Sequence, residues 1–176
     1  EKIKAKTFFT QFHAETSFSD FIFGIRPDVN NKELRYKENL GSFTEALKYA
    51  KDHENEKVLL IIDEINRANL PSVLGELIYA LEYRNEPVTS MYEYEGEREI
   101  ALPKNLFIIG TMNTADRSVG HIDYAIRRRF AFVDILPDEN IILNPTAKTL
   151  FYEIKKLFGN DFLSPDFKAK DVMIGH

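Results

Sequence analysis

A mainly parallel α/β sheet with flanking helices is the fold class this 176-residue chain predicts, and three observations carry it. Two apolar runs, Val58-Leu59-Leu60-Ile61-Ile62 and the segment from Asn105 to Met112, have the length and branching of buried strands. Each run delivers polar residues at its carboxyl end, Asp63-Glu64 in one case and Asn113-Thr114-Ala115-Asp116-Arg117-Ser118 in the other. Helix-period stripes separate them, and strands alternating with helices favour a parallel sheet whose site lies beyond the strand carboxyl ends.

Taken in order, Thr7 to His13 reads as a short strand, and an aromatic stretch from Phe18 to Phe23 breaks at Gly24 and Pro27. Residues 28–41 are polar and predict a surface loop. Ser42 with Glu45 forms a capping-box signature, and Phe43, Ala46, Leu47 and Ala50 share one face of a helix over 42–53. Pro71 suits an early helix position, with Leu70, Val73, Leu74, Leu77, Ile78 and Leu81 as the apolar stripe of one helix reaching Tyr83. Residues 87–103 predict a β-hairpin turning at Glu95-Gly96-Glu97. A short helix from Ile122 to Arg129, a strand from Phe130 to Ile135 ended by Pro137, and an amphipathic helix through Leu150, Phe151, Ile154 and Leu157 closed by Gly159 complete the series. The domain division is a core over residues 1–138 and the beginning of a helical subdomain over 139–176.

Composition narrows the function classes. With 44% apolar and 29% charged residues the chain is an ordinary globular protein, and no apolar run approaches the roughly 20 residues of a membrane span. The absence of cysteine excludes disulfides, thiolate-bound zinc and thiol catalysis, and fits a cytoplasmic protein without a membrane partner. A net charge of −5 argues against a surface that tracks nucleic acid as a whole. His13, His53, His121 and His176 are too scattered for a metal site.

An apolar strand ending in Asp-Glu serves nucleotide hydrolysis in two ways. The first carboxylate, Asp63, can hold Mg²⁺ bridging the phosphates, and the second, Glu64, can polarise the attacking water. The competing reading is that both merely complement the positive end of the next helix. Asn66, Arg67 and Asn69 follow closely, and Asn113, Asp116 and Arg117 end the neighbouring strand, which favours the chemical reading. The phosphate-binding loop that would complete such a site is missing, since none of the eight glycines precedes a lysine.

With those residues in view, the chain resembles the AAA+ superfamily and, more narrowly, the McrB-type GTPases that act as motors of modification-dependent restriction systems. Leu60-Ile61-Ile62-Asp63-Glu64-Ile65-Asn66-Arg67-Ala68-Asn69 looks like that family's Walker B segment, and Met112-Asn113-Thr114-Ala115-Asp116-Arg117-Ser118 like its signature heptad. Asp123-Tyr124-Ala125-Ile126-Arg127-Arg128-Arg129-Phe130 resembles its arginine-finger region, and Gln11-Phe12-His13 the segment after its first helix. The resemblance implies Asp63 as the metal residue, with Asn66 and Asn113 beside it at the nucleotide. It further implies Glu64 as base, Asn113 as sensor, Asp116 and Arg117 as members of that network or of a cross-subunit pair, and Arg129 before Arg128 as finger.

The same resemblance implies a ring, hexameric in the family, using Mg²⁺ with GTP or ATP, working with a McrC-like endonuclease subunit and reaching DNA through a separate domain. It places the missing strand and phosphate loop ahead of Glu1, between the strands at 105–112 and 130–135, so the chain is expected to be a fragment that alone binds nucleotide weakly. Two other readings stand beside it: an ATP-using remodelling protein of the MoxR or dynein-related branch, and a non-hydrolysing scaffold.

Overall fold

A computed structural model describes residues 5–28, 35–94, 96–113 and 122–159. These fall into two compact units, one made of residues 5–113 and 122–131 and the other of 132–159.

The first unit is organised by a parallel sheet of β1 (Ala5–Gln11), β4 (Lys57–Asp63) and β7 (Leu106–Gly110), with β4 in the centre. In register, Phe9, Ile61 and Ile109 lie side by side, as do Gln11 and Asp63 at the carboxyl end of the first pair. Before β4 come α1 (Phe18–Phe21), β2 (Phe23–Pro27), β3 (Tyr36–Leu40) and α2 (Ser42–Asp52). After it come α3 (Leu70–Leu74), α4 (Leu77–Glu82), and the hairpin β5 (Val88–Tyr94) and β6 (Glu97–Ile100). The short helix α5 (Tyr124–Arg127) follows β7.

One face of the sheet forms the core. Val58, Leu60, Ile62 and Leu106 are almost wholly buried among Ala46 and Ala50 of α2, Val73 of α3 and Leu77 of α4. The opposite face is apolar and open among the described residues, with Phe9 64%, Phe107 47% and Ile109 51% exposed. Continuous apolar runs predict strands covered on both faces. The residues described here cover only one.

Five elements depart from the sequence expectation. Residues 36–40 form β3, an antiparallel partner of β2, within the segment read as a loop; its residues are polar because most of the strand is exposed. The helix over Leu70–Tyr83 is two helices, because Gly75 takes φ +49° and breaks the hydrogen-bond series. Ser42 is the first residue of α2 and Gly41 its cap, whereas the capping box lies at α1: the Ser17 amide donates to Asp20 Oδ2 at 2.9 Å. Hydrogen bonds from the Ser17 side chain and amide, helped by Arg26, hold the Asp20 carboxyl below the usual carboxylate range. The expected strand Phe130–Ile135 does not form: no described segment pairs with it, and without a ladder its backbone gains nothing by extending. The helix through Leu150, α6 (Pro145–Lys156), starts earlier than the apolar stripe suggests, since Asn144 caps it by accepting from the Thr146 and Ala147 amides.

Two side chains fix where β7 begins. Asn105 donates through Nδ2 to the carbonyls of Ala50, His53 and Glu56 at 2.9, 3.0 and 2.9 Å, tying the end of α2 and the approach to β4 to the start of β7. Arg84 donates to the Leu106 carbonyl at 2.7 Å, and its partial burial lowers its pKa. Asn105→Ala removes the amide shared by these carbonyls, of which that of His53 still accepts from the Glu56 amide, and is expected to destabilise the intact protein by about 1–3 kcal/mol. Urea unfolding should show a lower midpoint at unchanged m-value; an unchanged midpoint would mean that water replaces the amide at no cost.

Candidate active site

The polar ends of β4 and β7 are joined by one residue that sequence reasoning passed over. Thr111 donates its amide hydrogen to the Ile62 carbonyl at 2.9 Å and accepts from the Ile65 amide through its own carbonyl at 2.8 Å. Its hydroxyl donates to Asp63 Oδ1 at 2.5 Å and accepts from the Glu64 amide at 3.2 Å. Thr111 therefore orients both acidic residues. The one signal available in the sequence was its place as the first polar residue after the apolar run, just before the heptad starting at Met112.

Asp63 completes its hydrogen bonding with Gln11, whose Nε2 donates to Oδ2 at 3.0 Å across the β1–β4 pair. Both partners are neutral donors, and the carboxylate oxygens have further lone pairs to offer a cation. Among the described residues no three acidic or histidine side chains gather as a metal cage. One carboxylate at a strand end fits Mg²⁺, which is commonly held by one or two carboxylates with phosphate and water as the other ligands.

Glu64 has φ 53° and ψ 44°, a left-handed conformation that a residue with a Cβ adopts at a cost of about 1–2 kcal/mol. The turn throws the chain out of the strand and starts the short 3₁₀ segment Ile65–Arg67. Arg67 Nε lies 3.2 Å from Glu64 Oε2, an ion pair that is not aligned as a hydrogen bond and leaves that buried oxygen without a donor.

Asn66 is buried, and its Nδ2 donates to the Asn113 carbonyl at 3.2 Å. It thus links the loop after β4 to the loop after β7, while its Oδ1 is buried without a hydrogen-bond partner. Asn69 caps α3 by accepting from the Ser72 amide. Asp116 and Arg117 lie outside the described residues. Asp63, Glu64, Asn66 and Asn113 are brought to one edge of the sheet by the strand register and these bonds.

The two arginines that follow α5 part company. Arg129 turns inward: its Nη2 meets Glu82 Oε2 at 2.5 Å, its Nη1 donates to the Ala125 carbonyl, and its side chain is 9% exposed. Arg128 is 55% exposed, with its Nη2 at 3.7 Å from the same Glu82 oxygen.

The model of the AAA domain, dynein-related subfamily, matches residues 1–130. The chain belongs to the AAA domain family. Among curated AAA relatives, the EcoKMcrB subunit of a type IV methyl-directed restriction enzyme from Escherichia coli K12 is 41% identical over 163 residues, 87% of this chain and 35% of that protein. The YdiS component of the type II restriction enzyme BsuMI from Bacillus subtilis 168 is 38% identical over 128 residues, 64% of this chain and 37% of that one. The chain thus spans about a third of the length of the relatives it matches. A solved structure from Cytophaga hutchinsonii described as that of an ATPase candidate covers 97% of this chain and 44% of its own at TM-score 0.47 and 14% identity. The curated relatives support the McrB resemblance of the sequence and the family match supports the α/β fold class, and no helix among the described residues is long and apolar enough to cross a membrane.

Proposed function

We propose that this AAA domain takes part in Mg²⁺-dependent hydrolysis of a nucleoside triphosphate, with GTP preferred, as the motor of a restriction system. The observation that carries the proposal is the convergence at Thr111, which holds the Asp63 carboxylate and the Glu64 backbone against the loop of Asn113. Two acidic residues placed side by side, one hydrogen-bonded and fixed, the other on a strained turn, suit division of labour between holding a cation and activating water.

In this reading Asp63 is the metal residue, and bound Mg²⁺ supplies charge neutralisation at the phosphates. Glu64 accepts a proton from the attacking water as the water oxygen bonds to the terminal phosphorus and the bond from that phosphorus to the bridging oxygen breaks, releasing nucleoside diphosphate. Asn113 orients that water, Asn66 holds the Asn113 loop in place, and Asp116 and Arg117 complete the network. Arg128 supplies the cation to the nucleotide of a neighbouring copy, because Arg129 is turned inward; this reverses the order expected from position before Phe130. The GTP preference, a ring of about six copies, a McrC-like nuclease partner, a separate DNA-reading domain and a cytoplasmic setting are drawn from the family resemblance. Similarity to a restriction-enzyme subunit and to a restriction-enzyme component supports only the restriction-system setting. An ATP-using remodelling role is the second reading, favoured by the dynein-related subfamily match.

The test is turnover of GTP and ATP by the full natural protein that contains this chain, with and without Mg²⁺. GTP turnover that needs Mg²⁺ and exceeds ATP turnover is the expected outcome. Preference for ATP would move the protein to the remodelling branch, and failure to turn over either would leave the scaffold reading.

A further inference from the structure

Arg128 and Arg129 are adjacent in sequence, chemically identical and sited at the end of a four-residue helix, yet the side chain of one is 55% exposed and that of the other 9%. Local structure alone does not explain the difference. The acceptor that separates them is Glu82, the last residue of α4, whose Oε2 is 2.5 Å from Arg129 and 3.7 Å from Arg128. A guanidinium as buried as that of Arg129 needs a counter-charge, and Glu82 is the carboxylate in contact with it. The Ala125 carbonyl takes a second proton of the same group, so Arg129 is held at both ends of its fork.

We propose that Glu82 is a positioning residue that sorts the two arginines, drawing Arg129 inward as an anchor and steadying Arg128 as the outward cation. This rests on the hydrolysis reading above, in which Arg128 meets the γ-phosphate held by a second copy of the chain. The anchor ties α5 to α4, so the backbone that carries Arg128 is set by a helix reaching back to the Walker B side of the domain. Loss of the Glu82 carboxylate leaves Arg129 buried without its counter-charge, and the turn carrying both side chains relaxes toward solvent. Arg128 is then misplaced, though it is still present.

The defect falls on the donated face of a subunit boundary and not on the face that holds nucleotide, which sets the test. In the full natural protein, Glu82→Gln is expected to lower kcat about 10- to 100-fold, the range for a misplaced catalytic group, with KM changed less than about twofold. Arg128→Ala should do the same. Subunits carrying Glu82→Gln, mixed with subunits carrying Glu64→Gln, should regain turnover, because the first still offers Glu64 and the second still offers a placed Arg128. Mixing Glu82→Gln with Arg128→Ala should regain none, since both lack the same face.

A misfolded subunit could not complement in this selective way. If Glu82→Gln does not assemble, Glu82→Asp, which keeps the charge on a shorter arm, undergoes the same two mixings with the same expectation. Wild-type kcat in a Glu82 variant, or recovery on mixing with Arg128→Ala, would overturn the proposal. Full activity of Arg128→Ala would overturn it too while leaving hydrolysis at Glu64 intact. No turnover by the wild type would instead remove the reading on which it rests.

Discussion

Glu64→Gln is expected to reduce nucleotide turnover by about 10²- to 10⁴-fold, the range for loss of a positioned general base. The amide is nearly isosteric with the carboxylate and cannot take a proton from water. Its effect on folding should be small, because the ion pair it removes, with the partly exposed Arg67, is of the kind that contributes at most about 1 kcal/mol. The prediction is therefore a separation of activity from stability: turnover is lost while the thermal midpoint stays nearly constant. Glu64→Gly should lose turnover as fully without lowering the midpoint by more than a few degrees, since glycine relieves the left-handed backbone at φ 53° while loosening the unfolded chain. Steady-state hydrolysis and a thermal melt of the same preparations decide the matter. Retained turnover in Glu64→Gln would remove Glu64 as the base and move attention to Asp63.

Gly41→Ala is expected to cost more stability than alanine at any other described glycine of the first unit. A Cβ at Gly41 would stand 2.1 Å from the Phe21 carbonyl carbon and 2.5 Å from the Ile22 nitrogen, both backbone atoms of α1 and its C-cap. No side-chain rotation relieves that overlap. The Gly41 amide donates to the Ile22 carbonyl at 2.9 Å, and the Thr44 hydroxyl donates to the same oxygen at 2.6 Å, so the chain cannot retreat without breaking both bonds. Phe21, Ile22 and Phe43 are core residues on either side of the contact, and separating them would open the core as well. A cost of about 3 kcal/mol or more follows, at the upper end for overpacking, which would lower the thermal midpoint by about 6–12 °C in a domain of this size. A midpoint within about 2 °C of wild type would show that α2 and α1 can slide apart freely.

The site was more legible in the sequence than the fold around it. Asp63, Glu64 and Asn113 announce themselves because a polar residue directly after a buried apolar run must emerge at a strand end, and parallel strands put all such ends on one edge. Thr111 was missed for the opposite reason: a threonine is unremarkable in a strand, and its importance lies in two hydrogen bonds to residues 47 and 48 positions away in the chain. Gly75 was hidden because an apolar stripe carries no record of backbone handedness, so Leu70–Leu81 looked like one helix. The polar strand β3 was hidden because its side chains face water and its pairing with β2 is made by backbone groups that every sequence has.

Arg128 and Arg129 show where local reading ends. The sequence by itself determined the apolar periods of β4 and β7, the acidic pair at the end of β4, the heptad after β7 and the short helix with three arginines at its end. These follow from patterns within a few residues, where hydrophobic periodicity and helix or strand geometry leave little choice. Tertiary structure decided which arginine turns inward, that Glu64 sits in the left-handed region, and that among the described residues one face of the sheet is filled while the other is open. Each of these depends on a partner distant in the chain, Glu82 for the arginines and Thr111 for the turn after Asp63. The energies that choose between identical side chains, charge pairing and desolvation, exist only once those partners are brought together in space.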